Sequence, residues 1–511
     1  MVRAAGNHGG GVRQGLLTPS RARALLPPAA LVLVVTLAAH LESLLRRASD
    51  GDEDAYSAIA RLMLQGGRLY ADGGVDNKPP VIFWIYAAAF RLFGNYNLFA
   101  VHMLKVAVVL ATAALVGVLA RKLAGDWAGW IAALFYGLFT AAGGPQQYAG
   151  ANTEVFMNLP LVASMLLLLN RRFALAGALI ALACLTKQVA IVNLPLALIF
   201  ALVSASRARN LAALLAGFAA GAGLLLGALA LTGSARGFWR WTVVSLASYE
   251  SPVWGSGQAL IYLREWFLPW LLATPLLWAP ALYRLATKPW REMRAPERTI
   301  AGWLLVGVLG AVASGRFFSH YNIALVAPLA ILAGAALAEL RRLPRRTWRG
   351  LLAAGALAGT LAAGIFLLAD ARLLPAPVRL TGTPPDRSGA ADYVRAHTNP
   401  GDRIFVWGNA PYDYVLSERT PASRFTAFLR GFPREQGLEP RNWDTTPDVW
   451  PALKEDFVNH PPAFILDTST DPYGTFTHYP LSRFSEVAGL VRDGYEPVAV
   501  VEGVTIYQRR G

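Results

Sequence analysis

Between residues 25 and 371 the chain passes through eleven stretches built mainly from Leu, Ala, Val, Gly and Phe. They lie near 25–45, 98–120, 127–147, 155–170, 173–186, 189–205, 211–232, 265–285, 299–314, 320–339 and 350–371. This pattern constrains the fold more than any other feature. Apolar runs of this length match helices that cross or line a bilayer, and a backbone in hydrocarbon must close its hydrogen bonds internally. Of 511 residues, 55% are hydrophobic and only 15% charged, against about 25% charged in soluble domains. The expectation is an α-helical polytopic membrane protein of about eleven spans plus interfacial helices. Pro160 and Pro195 are expected to interrupt two of the spans.

The net charge of +15 would suggest nucleic acid in a soluble chain. Here the arginines cluster in short connectors between apolar runs, as topology signals do, so no nucleic-acid partner is expected. The stretch 79–94 is short for a span and fits a helix lying in the interface. With it flat on the outer face, alternate connectors collect the positive charge. These are the basic N-terminus (1–24), Arg121–Lys122, Arg171–Arg172, Arg207 and Arg209, the cluster 284–298, and Arg341 to Arg349. The first span, read as uncleaved rather than as a signal peptide, then emerges outside. That makes 46–97 the first outer loop of a membrane domain spanning 25–375. The single cysteine, Cys184, excludes an intramolecular disulfide and a cysteine zinc site. From 383 to 511 no apolar span occurs. RIFVWG (403–408), AFILD (463–467) and YEPVAVVEGVTIY (495–507) read as strands, and 447–460 and 481–494 as helices. This predicts a small extracytoplasmic α/β domain on a multi-pass protein of the cell (inner or plasma) membrane.

This topology gathers unusual polar residues on the outer side. Asp52, Glu53, Asp54, Tyr56, Asp76, Asn77 and Lys78 lie in the first loop. Gln146, Gln147, Tyr148, Asn152, Thr153 and Glu154 lie in the second turn, and Thr186, Lys187 and Gln188 in the third. The loop 233–264 adds Arg236, Arg240, Arg264 and several aromatic residues, and SGRFFSHYN adds Arg316, His320, Tyr321 and Asn322. Outer cations run against the positive-inside trend, and a lipid-linked phosphate is a natural counter-charge for Lys78, Lys187 and Arg316. A carboxylate nearby can serve as general base. Each residue also has a plainer reading: Asp52, Glu53 and Glu154 as helix-terminal acids, Lys78 as an interfacial anchor, His320 as a packed turn residue. Lys187 resists that reading, because a charge so near the membrane is costly without a partner.

GDEDAY, ARLMLQGGRLY and NKPPVIFWIYAAAFRLFG together resemble the first outer loop of the GT-C superfamily of polyprenol-dependent membrane glycosyltransferases. The branch is that of protein O-mannosyltransferases and aminoarabinose transferases. NTEVFMNLP, LTKQVAIVNLP and RFFSHYNIALVAPLAILAG resemble later motifs of that branch in the same order, over about residues 25–340. The resemblance implies Asp52 as catalytic acid of the first loop, with Glu53 as its motif partner. It implies Lys78, Lys187 and Arg316 as donor-phosphate ligands. Glu154, Tyr56, His320 and Tyr321 would lie near the acceptor or a metal. A divalent cation is left open, with Asp52 and Glu154 as ligands if one binds. The chain departs from the branch at Asn77, where aminoarabinose transferases carry an acid, and at AVHMLK, where His102 and Lys105 stand in place of an arginine.

The expected activity is inverting transfer of a sugar from a polyprenyl-phosphate donor to a glycan, lipid or protein acceptor, in contact with membrane lipids. A transporter or lipid-linked sugar flippase is the alternative; it calls for ionisable residues at mid-membrane depth. A scaffold working through the tail is a third reading, and it would leave the first-loop motif without a purpose.

Overall fold

The computed structural model describes residues 19–45, 51–141, 150–244, 257–340, 344, 350, 388–427, 434–436, 439–442, 449–471, 476–477 and 479–511. The helices of the N-terminal part are α1 (Pro19–Ala39), α2 (Leu41–Leu45), α3 (Gly51–Leu64), α4 (Val81–Phe93), α5 (Leu98–Ala124) and α6 (Asp126–Phe139). They continue with α7 (Thr153–Leu169), α8 (Phe173–Thr186), α9 (Asn193–Leu202) and α10 (Arg207–Leu231). After a short helix at Ala235–Phe238 come α11 (Gln258–Tyr262), α12 (Leu268–Ala273), α13 (Pro275–Thr287), α14 (Ala295–Val312) and α15 (Ile323–Leu340). Among the described residues, Leu98–Ala124, Arg207–Leu231 and Ser319–Leu340 are long and apolar enough to cross a membrane; several shorter apolar helices accompany them.

These elements follow the apolar runs, with three differences. The run at 265–285 is broken at Thr274, where Pro275 starts a new helix. Pro160 does not interrupt its helix: α7 runs through it, as helices buried among neighbours tolerate. Pro195 sits in the first turn of α9, where its missing N–H costs nothing. The run expected at 350–371 lies outside the described residues. Close helix crossings rest on small residues. A Cβ at Gly177 of α8 would strike the Leu214 carbonyl of α10, and one at Gly217 would strike the Ala174 carbonyl.

α4 is the 79–94 helix. Its 13 residues span about 20 Å at 1.5 Å each. It buries Ile82, Phe83, Tyr86, Ala89 and Phe90, one helical face, while Leu92 and Phe93 remain exposed.

The tail begins with α16 (Gly389–His397) and contains β1 (Arg403–Trp407), α17 (Tyr412–Ser417), β2 (Thr420–Pro421), β3 (Arg434–Gln436) and β4 (Glu439–Asn442). It ends with α18 (Val449–Asn459), β5 (Phe464–Asp467), α19 (Ser485–Gly494), β6 (Tyr495–Val501) and β7 (Val504–Arg509). The main sheet has the order β2-β1-β5-β7-β6. β1 is parallel to both neighbours and pairs Ile404 with Phe464; β7 is antiparallel to β5 and β6. The 495–507 stretch is thus a hairpin rather than one strand. Glu502 and Gly503 both take positive φ, the geometry of a two-residue turn that matches strand twist. The tail is also not a separate body. One apolar core joins Tyr56, Ile59, Phe83 and Tyr86 of the first loop to Ile404, Trp407, Tyr414 and Ile465 of the tail. Arg61 Nε donates to Thr420 Oγ1 at 3.0 Å, Tyr96 Oη to the Arg419 carbonyl at 3.0 Å, and Val75 N to the Arg424 carbonyl at 3.1 Å.

Candidate active site

The site is assembled at helix ends and the loops beside them. Asp52 lies in the first turn of α3, where acids suit the exposed N–H groups. Its Oδ2 accepts from Lys78 Nζ at 3.0 Å and from Tyr56 Oη, one turn on, at 3.3 Å. Lys78 is fixed through its backbone. Its N–H donates to Asp76 Oδ1 at 2.9 Å, and its carbonyl accepts from Tyr70 Oη at 2.7 Å and from Thr242 Oγ1 at 3.5 Å. Pro79 and Pro80 follow and stiffen the entry to α4. Gln188 Nε2 ties the Asn77 carbonyl to the α8–α9 connection at 2.9 Å.

Beside this pair stands a second one. Glu154, in the first turn of α7, is ion-paired with Lys187, which follows α8. Thr153 Oγ1 donates to Glu154 at 3.0 Å, and His320 Nε2 lies 3.6 Å from it. Lys187 Nζ sits 4.2 Å from the Tyr321 ring centroid, a cation–π contact. The His320 ring stacks on Phe318 and meets Tyr321 edge-on. Burial would raise the Asp52 carboxyl, but Lys78, His320 and Lys187 outweigh it and hold the group well below the usual carboxylate range. Burial, helped by the like charge of Lys78, pulls the Lys187 ammonium below its ordinary value despite Glu154.

The structure therefore brings Asp52, Tyr56, Lys78, Glu154, Lys187, His320 and Tyr321 together. Glu53 points elsewhere. It is fully buried, accepts from Tyr86 Oη at 2.7 Å and the Ala151 N–H at 3.0 Å, and has both oxygens within 3.0 Å of His102 Nε2. Arg316 is buried in the turn that carries His320, between Gly315 and Phe317, both at positive φ. Gln146, Gln147, Tyr148 and residues 245–256 of the 233–264 loop lie outside the described residues. Among the described residues no three His, Cys, Asp or Glu side chains converge as a metal site. Tyr70, Thr242 and Gln188, which shape the Lys78 loop, carry no charge signal in the sequence. His102 did carry one, as an ionisable residue in an apolar run.

Residues 77–230 match the family model of dolichyl-phosphate-mannose-protein mannosyltransferases. The undecaprenyl phosphate-alpha-4-amino-4-deoxy-L-arabinose arabinosyl transferase of Pseudomonas aeruginosa, in strains LESB58 and UCBPP-PA14, is 30% identical over 312 residues, 57% of this chain and 56% of the relative. The chain thus matches little more than half the length of these curated relatives. Among solved structures, ArnT from Cupriavidus metallidurans bound to undecaprenyl phosphate superposes with a TM-score of 0.62 at 17% identity, covering 95% of this chain and 98% of that one. Archaeal oligosaccharyltransferase AglB from Archaeoglobus fulgidus, in complex with an inhibitory peptide and a dolichol-phosphate, gives 0.57 at 13% identity, covering 95% and 74%. The resemblance to the GT-C superfamily is thus supported in both sequence and fold.

Proposed function

We propose that this chain is an inverting membrane glycosyltransferase that takes a sugar from a polyprenyl-phosphate donor on the extracytoplasmic face. The observation that carries the reading is the Asp52–Lys78 pair at 3.0 Å, set beside Glu154, Lys187 and His320 at the ends of α3, α7, α8 and α15. The ArnT and AglB structures are of complexes with undecaprenyl phosphate and dolichol-phosphate, and this cluster has the cations to receive such a group.

In the proposed reaction the acceptor hydroxyl oxygen bonds to the anomeric carbon from the face opposite the phosphate. The bond from that carbon to the phosphate oxygen breaks, and its electron pair leaves with the polyprenyl phosphate. The hydroxyl proton passes to Asp52. Lys78 and Lys187 hold the leaving phosphate, with Arg316 in support, so that charge is stabilised where it develops. The arrangement couples the two steps. In the free protein Lys78 holds Asp52 acidic; when a donor phosphate engages Lys78, Asp52 loses its main counter-cation and becomes a better base. The acceptor is of the general class of glycan, lipid or protein.

The flippase alternative calls for ionisable groups at mid-depth. His102 and Lys105 are buried, but both lie within the first two turns of α5, about 6 and about 10 Å from its start. They belong to the end that carries the cluster and serve its architecture: His102 pairs with Glu53, and Lys105 Nζ donates to Ser43 Oγ at 3.2 Å.

The test is transfer from a purified polyprenyl-phosphate sugar by the protein in lipid nanodiscs. Asp52→Asn is expected to lose about 10²–10⁴-fold in rate with membrane insertion intact. Full activity in that variant would remove Asp52 from the chemistry.

A further inference from the structure

A cavity of about 140 Å³ lies at the seam between the first loop and the tail. The loop contributes Leu62 and Asp72; the tail contributes Arg403, Arg424, Asp456 and His460, among others. The acids of this lining are already engaged. Asp456 accepts from Ser423 Oγ at 2.8 Å, from Arg424 N at 2.9 Å, and from Arg424 Nε and Nη2 at 2.9 and 2.6 Å. Glu455 takes a further bond from Arg424 Nη2 at 2.7 Å, and Asp72 is paired with Arg68 at 3.1 Å.

Arg403 stands apart. It is half-buried at the head of β1, and its Nη1 donates to the Pro421 carbonyl at 3.0 Å. Among the described residues no carboxylate pairs with it. The like charge of Arg61 acts on it and the charge of Asp456 opposes that; the lining alone holds Arg403 and Arg424 against Asp72, Glu455 and Asp456, and only with Arg61 and Arg68 beside it do four arginines face the three carboxylates. The His460 ring and the Asn459 amide line the same cavity, and neither side chain makes a hydrogen bond among the described residues. Burial and the Arg403 charge hold the exposed His460 imidazole below its ordinary value, against the pull of Asp456.

Size decides what fits. The cavity has room for roughly four or five waters at ~30 Å³ each, well short of the ~300–1,000 Å³ of pockets that swallow a whole ligand. It suits one headgroup-sized fragment. A guanidinium fork matches the paired oxygens of a phosphate or carboxylate. We infer that this seam cavity is an anchoring subsite for one phosphate or carboxylate group of the acceptor, gripped by Arg403 with His460 and Asn459, and separate from the Asp52–Lys78 centre. The word acceptor rests on the function proposed above; the anion site does not. Leu62 and Asp52 are ten residues apart on α3, about 15 Å at 1.5 Å per residue. An acceptor held in both places is therefore extended, with its anionic group about that far from the reacting hydroxyl.

The first experiment needs no activity. The full chain in phosphatidylcholine nanodiscs is treated with phenylglyoxal, and arginine modification is mapped by mass spectrometry with and without millimolar inorganic phosphate. Protection of Arg403 that persists in Lys78→Met supports the subsite. Unprotected Arg403, or protection that disappears with Lys78→Met, overturns it. Protection by phosphatidylglycerol nanodiscs without added phosphate would assign the group to a membrane lipid and overturn the acceptor assignment. The second experiment compares transfer to acceptors with and without an anionic group. Arg403→Gln is expected to raise KM for the anionic acceptor roughly 10-fold or more, with kcat and the uncharged acceptor unchanged, and Arg403→Lys to fall between. Equal KM changes for both acceptors would sink the anchoring role. Absence of transfer to any acceptor would count against the function proposed above while leaving the footprint to judge the cavity.

Discussion

Glu53 adjoins the proposed base in sequence, yet its surroundings predict a different phenotype. Its carboxylate is fully buried and receives Tyr86 Oη, the Ala151 N–H and His102 Nε2. These partners come from α4, from the segment before α7, and from α5, so Glu53 locks the start of α3 to three neighbours. In Glu53→Ala, Tyr86 still reaches the Ala151 carbonyl at 3.1 Å, but the Ala151 N–H and His102 lose their acceptor. Each buried donor left unmet costs about 1–3 kcal/mol, and breaking a buried pair from one side costs about 3–5 kcal/mol. A loss of about 3–5 kcal/mol is therefore expected in reversible unfolding from mixed micelles. His102→Leu in the same background should recover part of that loss, because it removes the stranded imidazole. Glu53→Gln keeps the shape and one accepting oxygen. It should retain transfer within about tenfold of the parent, whereas Asp52→Asn loses about 10²–10⁴-fold. If Glu53→Gln unfolds like the parent but loses activity as deeply as Asp52→Asn, Glu53 takes part in the chemistry and the anchoring argument fails.

Other outcomes follow from the same geometry. Lys78→Met removes the largest influence holding Asp52 acidic, leaving burial to raise it; the acid limb of the transfer rate should move to higher pH, and an unmoved limb would separate Asp52 from Lys78. Tyr321→Leu removes the ring 4.2 Å from Lys187, a contact worth about 0.5–2 kcal/mol, so donor KM should rise roughly 2–30-fold in steady-state assays. Asp413 is buried, neither carboxyl oxygen has a hydrogen-bond partner among the described residues, and burial, with Glu502 and Asp471, pushes its carboxyl up to about 8. Folding must then protonate it, so its stability cost is absent below about pH 4, grows as pH rises and levels off near pH 8. Asp413→Asn should stabilise the protein increasingly over that window, by up to about 4 kcal/mol at pH 7, and a pH-independent change in Tm would refute this. With Cys184→Ser as background, a cysteine at 122 should react with impermeant reagents only from the cytoplasmic side; labelling from outside would return 79–94 to a true span.

Much of the site was legible because charge is expensive near lipid. Lys78, Lys187, Glu154 and Asp52 stand out in an apolar chain, and the alternation of basic connectors predicts one side for all four. Their pairing was not legible. Asp52 meets Lys78 across 26 residues and Glu154 meets Lys187 across 33, distances that only the packing of α3 against α4 and of α7 against α8 determines. Glu53 was misleading for a physical reason. Adjacent residues on a helix point about 100° apart, so membership in one motif does not place two carboxylates in one site. The strands of the tail were readable from apolar alternation. The turn at Glu502–Gly503 was not recognised as a hairpin, because a two-residue loop leaves almost no polar gap.

The least legible feature was the union of tail and first loop. Composition separates them sharply, and a change of composition is the ordinary mark of a domain boundary. Yet Tyr56, Phe83 and Tyr86 share one core with Trp407 and Tyr414, and Arg61 reaches across to Thr420. The reason lies in α3. Its residues from Glu53 to Ala60 are buried on every face, so it needs partners all round; α4 covers one side and the tail another. The helix that carries Asp52 is thus held at one end by the Glu53 contacts and along its flank by the tail. Loosening the tail, for instance at Thr420 or Tyr414, should therefore be felt at Asp52 through the position of α3, even though neither residue belongs to the Asp52–Lys78 cluster.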